Sequence, residues 1–178
     1  MLHNTDSGYG LASKFLHWLL AAGIIGLTAL GAWMVDLSYL DSRYNLALSL
    51  HRSLGMAVLG LAVLFAVWKF VSPSPPLQAE LRDWERHGAR LTHALLLCAI
   101  FALPVSGYMI STSAGAGFPF LDLFVIPAIF PQSEILRDLA IGVHAAVAYG
   151  LLPVVVIHAG AALKHQFLDK HGTLKRML

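Results

Sequence analysis

Apolar positions in this chain fall into four long runs separated by short polar stretches. The first run spans Phe15 to Val35, the second about Leu46 to Val71, the third about Leu91 to Ser111 and the fourth about Ile141 to Leu163. Each reaches the roughly 20 residues that a helix needs to cross a bilayer. The stretch "SPSPPLQAELRDWERHGAR" after the second run carries prolines that end the helix and charges that place it in water. The stretch "TSAGAGFPFLDLFVIPAIFPQSEILRD" before the fourth is broken by Gly and Pro yet rich in Phe, so it is expected to lie at the membrane interface rather than cross it. These elements predict an all-α integral membrane four-helix bundle, residues 1–178 forming a single transmembrane domain.

A secretory signal peptide is the alternative reading of the first run. Its basic flank is thin, with Lys14 alone, and no A-x-A-like site follows "GAWMVDLS", so the run reads as a retained span. Four spans put the N-terminus, the loop at 72–90 and the C-terminal tail on one side. That side holds Lys14, Lys69, Arg82, Arg86, Arg90, Lys164, Lys170, Lys175 and Arg176, nine of the twelve basic residues, against Arg43, Arg52 and Arg137 on the other. The excess of Lys and Arg predicts that both termini are cytoplasmic, and Trp18, Trp68 and Trp33 fall near the expected boundaries.

Composition agrees with that picture. Hydrophobic residues make up 57% and charged residues 12%, and mean hydropathy is +0.69, where soluble domains carry roughly 25% charged residues. A net charge of +2 without a basic, aromatic-interleaved patch gives no sign of a nucleic-acid partner. The single cysteine, Cys98, excludes an internal disulfide and any CxxC motif, and reads as a buried small apolar side chain. No GxSxG motif occurs, and no Asp or Glu lies within a span core, which argues against hydrolytic chemistry and a carboxylate proton relay.

The informative polar residues are histidines. His17 lies near the inner end of the first span and His51 near the outer end of the second. His144 and His158 lie near the outer and inner ends of the fourth. The last two are 14 residues apart, close to four helical turns, so they point to nearly the same side about 21 Å apart, with Pro153 between them as a potential kink. The chain thus offers one pair at each face, His51 with His144 and His17 with His158. Two imidazoles from different helices at matching depth suit the axial positions of a haem iron in a bundle interior. Gly55, Gly60, Gly142, Gly150 and Gly160 would let a flat macrocycle lie close, although small residues also serve ordinary helix packing. Zinc is the competing metal, but it wants its ligands together rather than split between two depths. In "RLTHALLL", His93 competes for the inner pair; His3, His87, His165 and His171 read as solvated residues at or beyond the boundary.

Together the pieces "LHW", "LHRSLG", "HGARLTHALL", "ALPVSGYMI" and "VHAAVAYGLLPVVVIHAGAALKHQFLDKHGTLKRM" resemble the bacterial cytochrome b561 family, small four-helix di-haem b membrane proteins that include superoxide oxidase. The resemblance covers nearly the whole chain. It implies two b haems, with His17 and His158 as iron ligands of the inner one and His51 and His144 of the outer one, which settles the competition from His93. It also implies inner-membrane location and electron transfer between the faces, with superoxide or a periplasmic donor outside and ubiquinone in the membrane. Arg52, beside His51, would attract an anion or pair with a haem propionate. Arg43 and Arg137 are balanced by Asp36, Asp41, Asp122, Glu134 and Asp138, which weakens steering of superoxide. In "HAGAALKH", His165 matches a family histidine and is a candidate quinone contact, with an ordinary interfacial histidine as the alternative. Two other functions stay in play. One is a non-catalytic haem-b anchor and electron conduit docked to a partner dehydrogenase or periplasmic protein through "FPFLDLFVIPAIFP". The other is a metal or proton pathway without haem.

Overall fold

The computed structural model describes residues 1–178. Four helices dominate: α1 (Leu11–Val35), α2 (Ser42–Val71), α3 (Asp83–Thr112) and α4 (Glu134–Phe167). A two-stranded hairpin, β1 (Phe118–Phe120) with β2 (Phe124–Ile126), lies between α3 and α4, and a single 3₁₀ turn (Leu174–Arg176) closes the tail. All four helices are long and apolar enough to cross a membrane. At 1.5 Å per residue, α4 extends about 50 Å, well beyond a hydrocarbon core of about 30 Å.

Each helix runs past its apolar run, by four residues at the start of α1 and α2 and by eight at the start of α3. Local polar chemistry accounts for the added turns. The Asp41 side chain accepts from the Arg43 amide at the start of α2, Glu85 Oε2 accepts from the Arg82 amide at the start of α3, and Ser133 Oγ accepts from the Leu136 amide at the start of α4. Hydropathy marks the part of a helix that meets lipid; caps mark where the helix begins. Pro104 and Pro153 sit inside helices that continue through them.

The core is narrow. Leu20 and Ile24 of α1, Val58 and Ala62 of α2, Ala99 and Leu103 of α3, and Leu151 of α4 form one cluster. Large apolar side chains such as Phe15, Ile25, Leu64, Leu95, Leu152 and Val156 face outward, as expected where lipid replaces water as the solvent, and Cys98, expected to be buried, faces outward with them. Packing runs α1 on α2, α2 on α3 and α3 on α4, while α1 and α4 make little backbone contact.

Both termini meet at one end of the bundle. The Asn4 amide donates to Ser72 Oγ (2.8 Å), Trp18 Nε1 donates to the Met177 carbonyl (2.8 Å), and the Arg176 guanidinium donates to the Pro76 carbonyl (3.1 Å). The N-terminus, the 72–82 loop and the tail therefore share a face, as four spans require. At the opposite end the hairpin turns through Leu121 and Asp122, both with positive φ (46° and 58°). That conformation is uncommon for leucine. It is held by the Leu121 amide donating to Ser53 Oγ (3.1 Å), and Ser53 is fully buried on α2. The Phe-rich interfacial segment is thus a small sheet seated on the end of α2.

Candidate haem-binding site

Helix α1 supplies His17, α2 supplies His51, and α4 supplies both His144 and His158. The structure brings these rings together in two pairs at opposite ends of the bundle. His17 and His158 have ring centres 6.2 Å apart, and His51 and His144 have theirs 6.1 Å apart. A metal ion bonded at about 2 Å to two facing imidazoles sets the ring centres about 6 Å apart. Both pairs have that separation, and neither is at hydrogen-bonding distance.

Around the outer pair the protein fixes the rings individually. His144 Nδ1 lies 3.0 Å from the Leu103 carbonyl and 3.0 Å from Ser106 Oγ. A ring nitrogen beside a carbonyl donates its proton there, which leaves Nε2 with the lone pair that a metal needs. Two glycines make space for the outer rings. A Cβ on Gly31 of α1 would stand 3.0 Å from His51 Cε1, and one on Gly107 of α3 would stand 3.3 Å from His144 Cε1. Both are closer than carbon–carbon contact at about 3.5–4.0 Å allows. His51 Nδ1 is buried without a partner.

Arg52 follows His51 on α2. Its guanidinium is 5.9 Å from the Phe118 ring, and its Nε is buried without a hydrogen bond. With Asn45, Leu48, Ser49, Phe118 and Pro119 it lines a cavity of about 140 Å³. Arg43 and Arg137 differ from it, because each is paired with a neighbouring carboxylate, Asp41 at 2.7 Å and Asp138 at 3.1 Å. No carboxylate partners Arg52.

Comparison with known proteins bears on what these histidines hold. Residues 8–178 match the family described as prokaryotic cytochrome b561. The chain belongs to that family. It is 38% identical over 175 residues to cytochrome b561 homolog 2 of Escherichia coli (strain K12), covering 98% of this chain and 93% of the relative. It is 30% identical over 167 residues to cytochrome b561 homolog 1 of the same organism, covering 92% and 93%. Family membership makes this a multi-pass membrane protein of transmembrane electron transfer, with haem b as its cofactor. The donor set fits that group: imidazoles, paired across helices, in an apolar interior.

Several residues stand apart from the sequence expectations. His93 of α3 reaches the inner pair, its ring centre 5.3 Å from that of His158, nearer than the roughly 6 Å that two facing imidazole ligands of one ion need. A Cβ on Gly55, Gly60, Gly142, Gly150 or Gly160 would meet no neighbouring side chain or helix within 4 Å, which is compatible with the expected close approach of a flat group; the glycines that pack on the paired rings are Gly31 and Gly107. Periodicity gives no means of singling out those two. His3 is exposed, as expected, and also stacks on Trp68 at 5.0 Å. His165 and His171 depart from the solvated reading, since His165 is only 8% exposed and the two rings stack at 5.8 Å. His87 also stays exposed, with Nδ1 2.7 Å from the Asp83 carbonyl one turn back.

Proposed function

We propose that this protein carries electrons across a bacterial inner membrane through two b haems, His17 and His158 holding the inner one and His51 and His144 the outer one, and that it is a superoxide:ubiquinone oxidoreductase or a close quinone-linked relative. The observation that carries the reading is the presence of two histidine pairs, each about 6 Å between ring centres, at opposite ends of one bundle. Bound haem supplies reversible one-electron chemistry at iron. The chain supplies the rest. Helix α4 ties both sites to one rigid element, and the Leu103 carbonyl and Ser106 hold His144 in the ligating tautomer. The apolar bundle keeps water from the path between the two sites.

Donor and acceptor follow from the two ends. Arg52, with no carboxylate partner and lining a small cavity with Asn45 and Ser49 at the outer end of α2, favours a small anion there. Two superoxide ions, each losing one electron to become dioxygen, balance one ubiquinone that gains two electrons and two protons to become the quinol. The paired state of Arg43 and Arg137 leaves Arg52 as the feature that favours this donor. With both termini cytoplasmic, the protons come from the inner side. At the inner end His165 is the candidate quinone contact: Asp169 engages its Nδ1, which leaves Nε2 free.

The test is direct. Purified, haem-loaded protein is mixed with a superoxide source and a soluble quinone, and quinol formation is followed. Quinol in a ratio of one to two superoxide, weakened by Arg52→Gln with haem content intact, supports the reading. Haem-loaded protein that reduces quinone only with a separate protein donor would favour the second reading, an electron conduit. The exposed Leu123, Phe124 and Val125 of the outer hairpin suit docking of such a partner.

A further inference from the structure

The end of α4 and the turn after it gather ligating side chains apart from the two histidine pairs. His165 Nδ1 lies 2.6 Å from Asp169 Oδ2, and the His171 ring stacks on that of His165, nearly parallel at 9°. One ligand atom from each of the three residues lies within 4.8 Å of the other two. Backbone geometry builds the group. Lys170 and Gly172 take positive φ (60° and 71°), which turns the chain back so that the His171 amide donates to the His165 carbonyl (2.8 Å). Gln78, from the loop between α2 and α3, clamps the turn from outside. Its amide donates to the His171 carbonyl, and its Oε1 accepts from Thr173 Oγ1 (2.6 Å). The His171 Nδ1 is buried and has no partner, an arrangement that normally calls for an unseen ligand or water.

We propose that His165, Asp169 and His171 form a binding site for a divalent transition-metal ion of the zinc class, separate from the haem sites. Two imidazoles and a carboxylate are a donor set that zinc takes readily, with a fourth position open to water. The donors, already close, draw in to bond lengths of about 2 Å around such an ion. His165 is seven residues beyond His158, about 10 Å along the helix, so the two sites share no ligand. The bound ion staples the C-terminal tail to the end of α4.

One built-in competitor makes the proposal sharper. Lys164 Nζ lies 2.6 Å from Asp169 Oδ2 and 2.8 Å from Glu85 Oε1 of α3. Its ammonium occupies the carboxylate that the ion needs, and Glu85 keeps a hold on it when the ion takes Asp169. Removing this charge should therefore strengthen ion binding, whereas removing a ligand weakens it.

The experiment uses full-length, haem-loaded protein in detergent, stripped with a chelator and titrated with Zn²⁺. Binding is read by calorimetry and by metal analysis after equilibrium dialysis, with the haem spectrum recorded throughout. One saturable Zn²⁺ per chain is expected. His171→Gln and Asp169→Asn should each weaken it by about tenfold or more, Lys164→Gln should tighten it, and His87→Gln and His3→Gln should leave it unchanged. No saturable binding by the wild type would overturn the proposal. So would equal binding by wild type, His171→Gln and Asp169→Asn, or a loss in His87→Gln as large as theirs. Lys164→Gln leaves every proposed ligand in place, so unchanged or weaker binding in that variant, with its haem spectrum intact, overturns the proposal even if a ligand variant fails to fold.

Discussion

Alanine at Gly31 should damage the outer haem site selectively. Its Cβ would stand 3.0 Å from His51 Cε1, against ordinary carbon–carbon contact at about 3.5–4.0 Å. The ring must therefore shift by about 0.5 Å or more, or α1 must move off α2. Overpacking of this kind costs about 1–3 kcal/mol. Charged against the ligand ring, that cost weakens outer-haem retention by about 5- to 150-fold, at 1.4 kcal/mol per tenfold. Gly107→Ala, with its Cβ 3.3 Å from His144 Cε1, should do the same more mildly. Two controls separate site damage from general destabilisation. A Cβ on Gly26 meets nothing within 4 Å, so Gly26→Ala should retain both haems. A Cβ on Gly23 meets Val58 Cγ2 at 2.9 Å, so Gly23→Ala should lower stability without preference for either haem. The assay is haem transfer from detergent-purified variants to excess apomyoglobin, with the two haems resolved by their reduced spectra. Equal retention of both haems in Gly31→Ala, or equal damage from Gly26→Ala, would refute the reasoning.

Further outcomes follow from the same geometry. His144→Ala should halve the haem content by removing the outer group and sparing the inner one; equal loss of both would show that the pairing or the independence of the sites is wrong. Ser53→Ala removes the hydrogen bond that holds the positive-φ turn at Leu121, worth about 0.5–1.5 kcal/mol, and should raise protease cleavage and amide exchange across 118–126 while the four helices stay protected. Asp41 caps α2, and the side-chain and backbone hydrogen bonds from Arg43 hold its carboxyl down at about 2. A carboxyl depressed below its unfolded value of about 3.9 stabilises the fold above that value and loses the contribution as pH falls toward the folded value. Amide protection at Tyr44 should therefore decline between about pH 4 and pH 2, and the decline should be absent in Asp41→Asn.

Much of this architecture was legible in the sequence, because a bilayer imposes a strong constraint. An unbroken apolar run of bilayer length has few alternatives, and the depths of His17, His51, His144 and His158 could be counted from those runs. The structure then brings the same four rings into the two pairs that the counting suggested. What could not be read falls into two kinds. Helix starts are set by Asp41, Glu85 and Ser133, polar side chains that hydropathy leaves outside the spans. Contacts between segments distant in sequence were equally hidden. Gly31 packs on His51 across a helix pair, and Ser53 grips a hairpin 68 residues away. His171 returns to His165 only because Lys170 and Gly172 turn left-handed. A histidine near the end of a span looks solvated in sequence, whereas the folded tail buries it.

The central claim is two b haems held by these two histidine pairs, and haem stoichiometry tests it most directly. Pyridine haemochrome on the detergent-purified, fully loaded protein, with a dithionite-reduced minus oxidised spectrum, should give two b haems per chain, both low-spin. One haem or none per chain would contradict the account and return the intramembrane histidines to a metal or proton pathway.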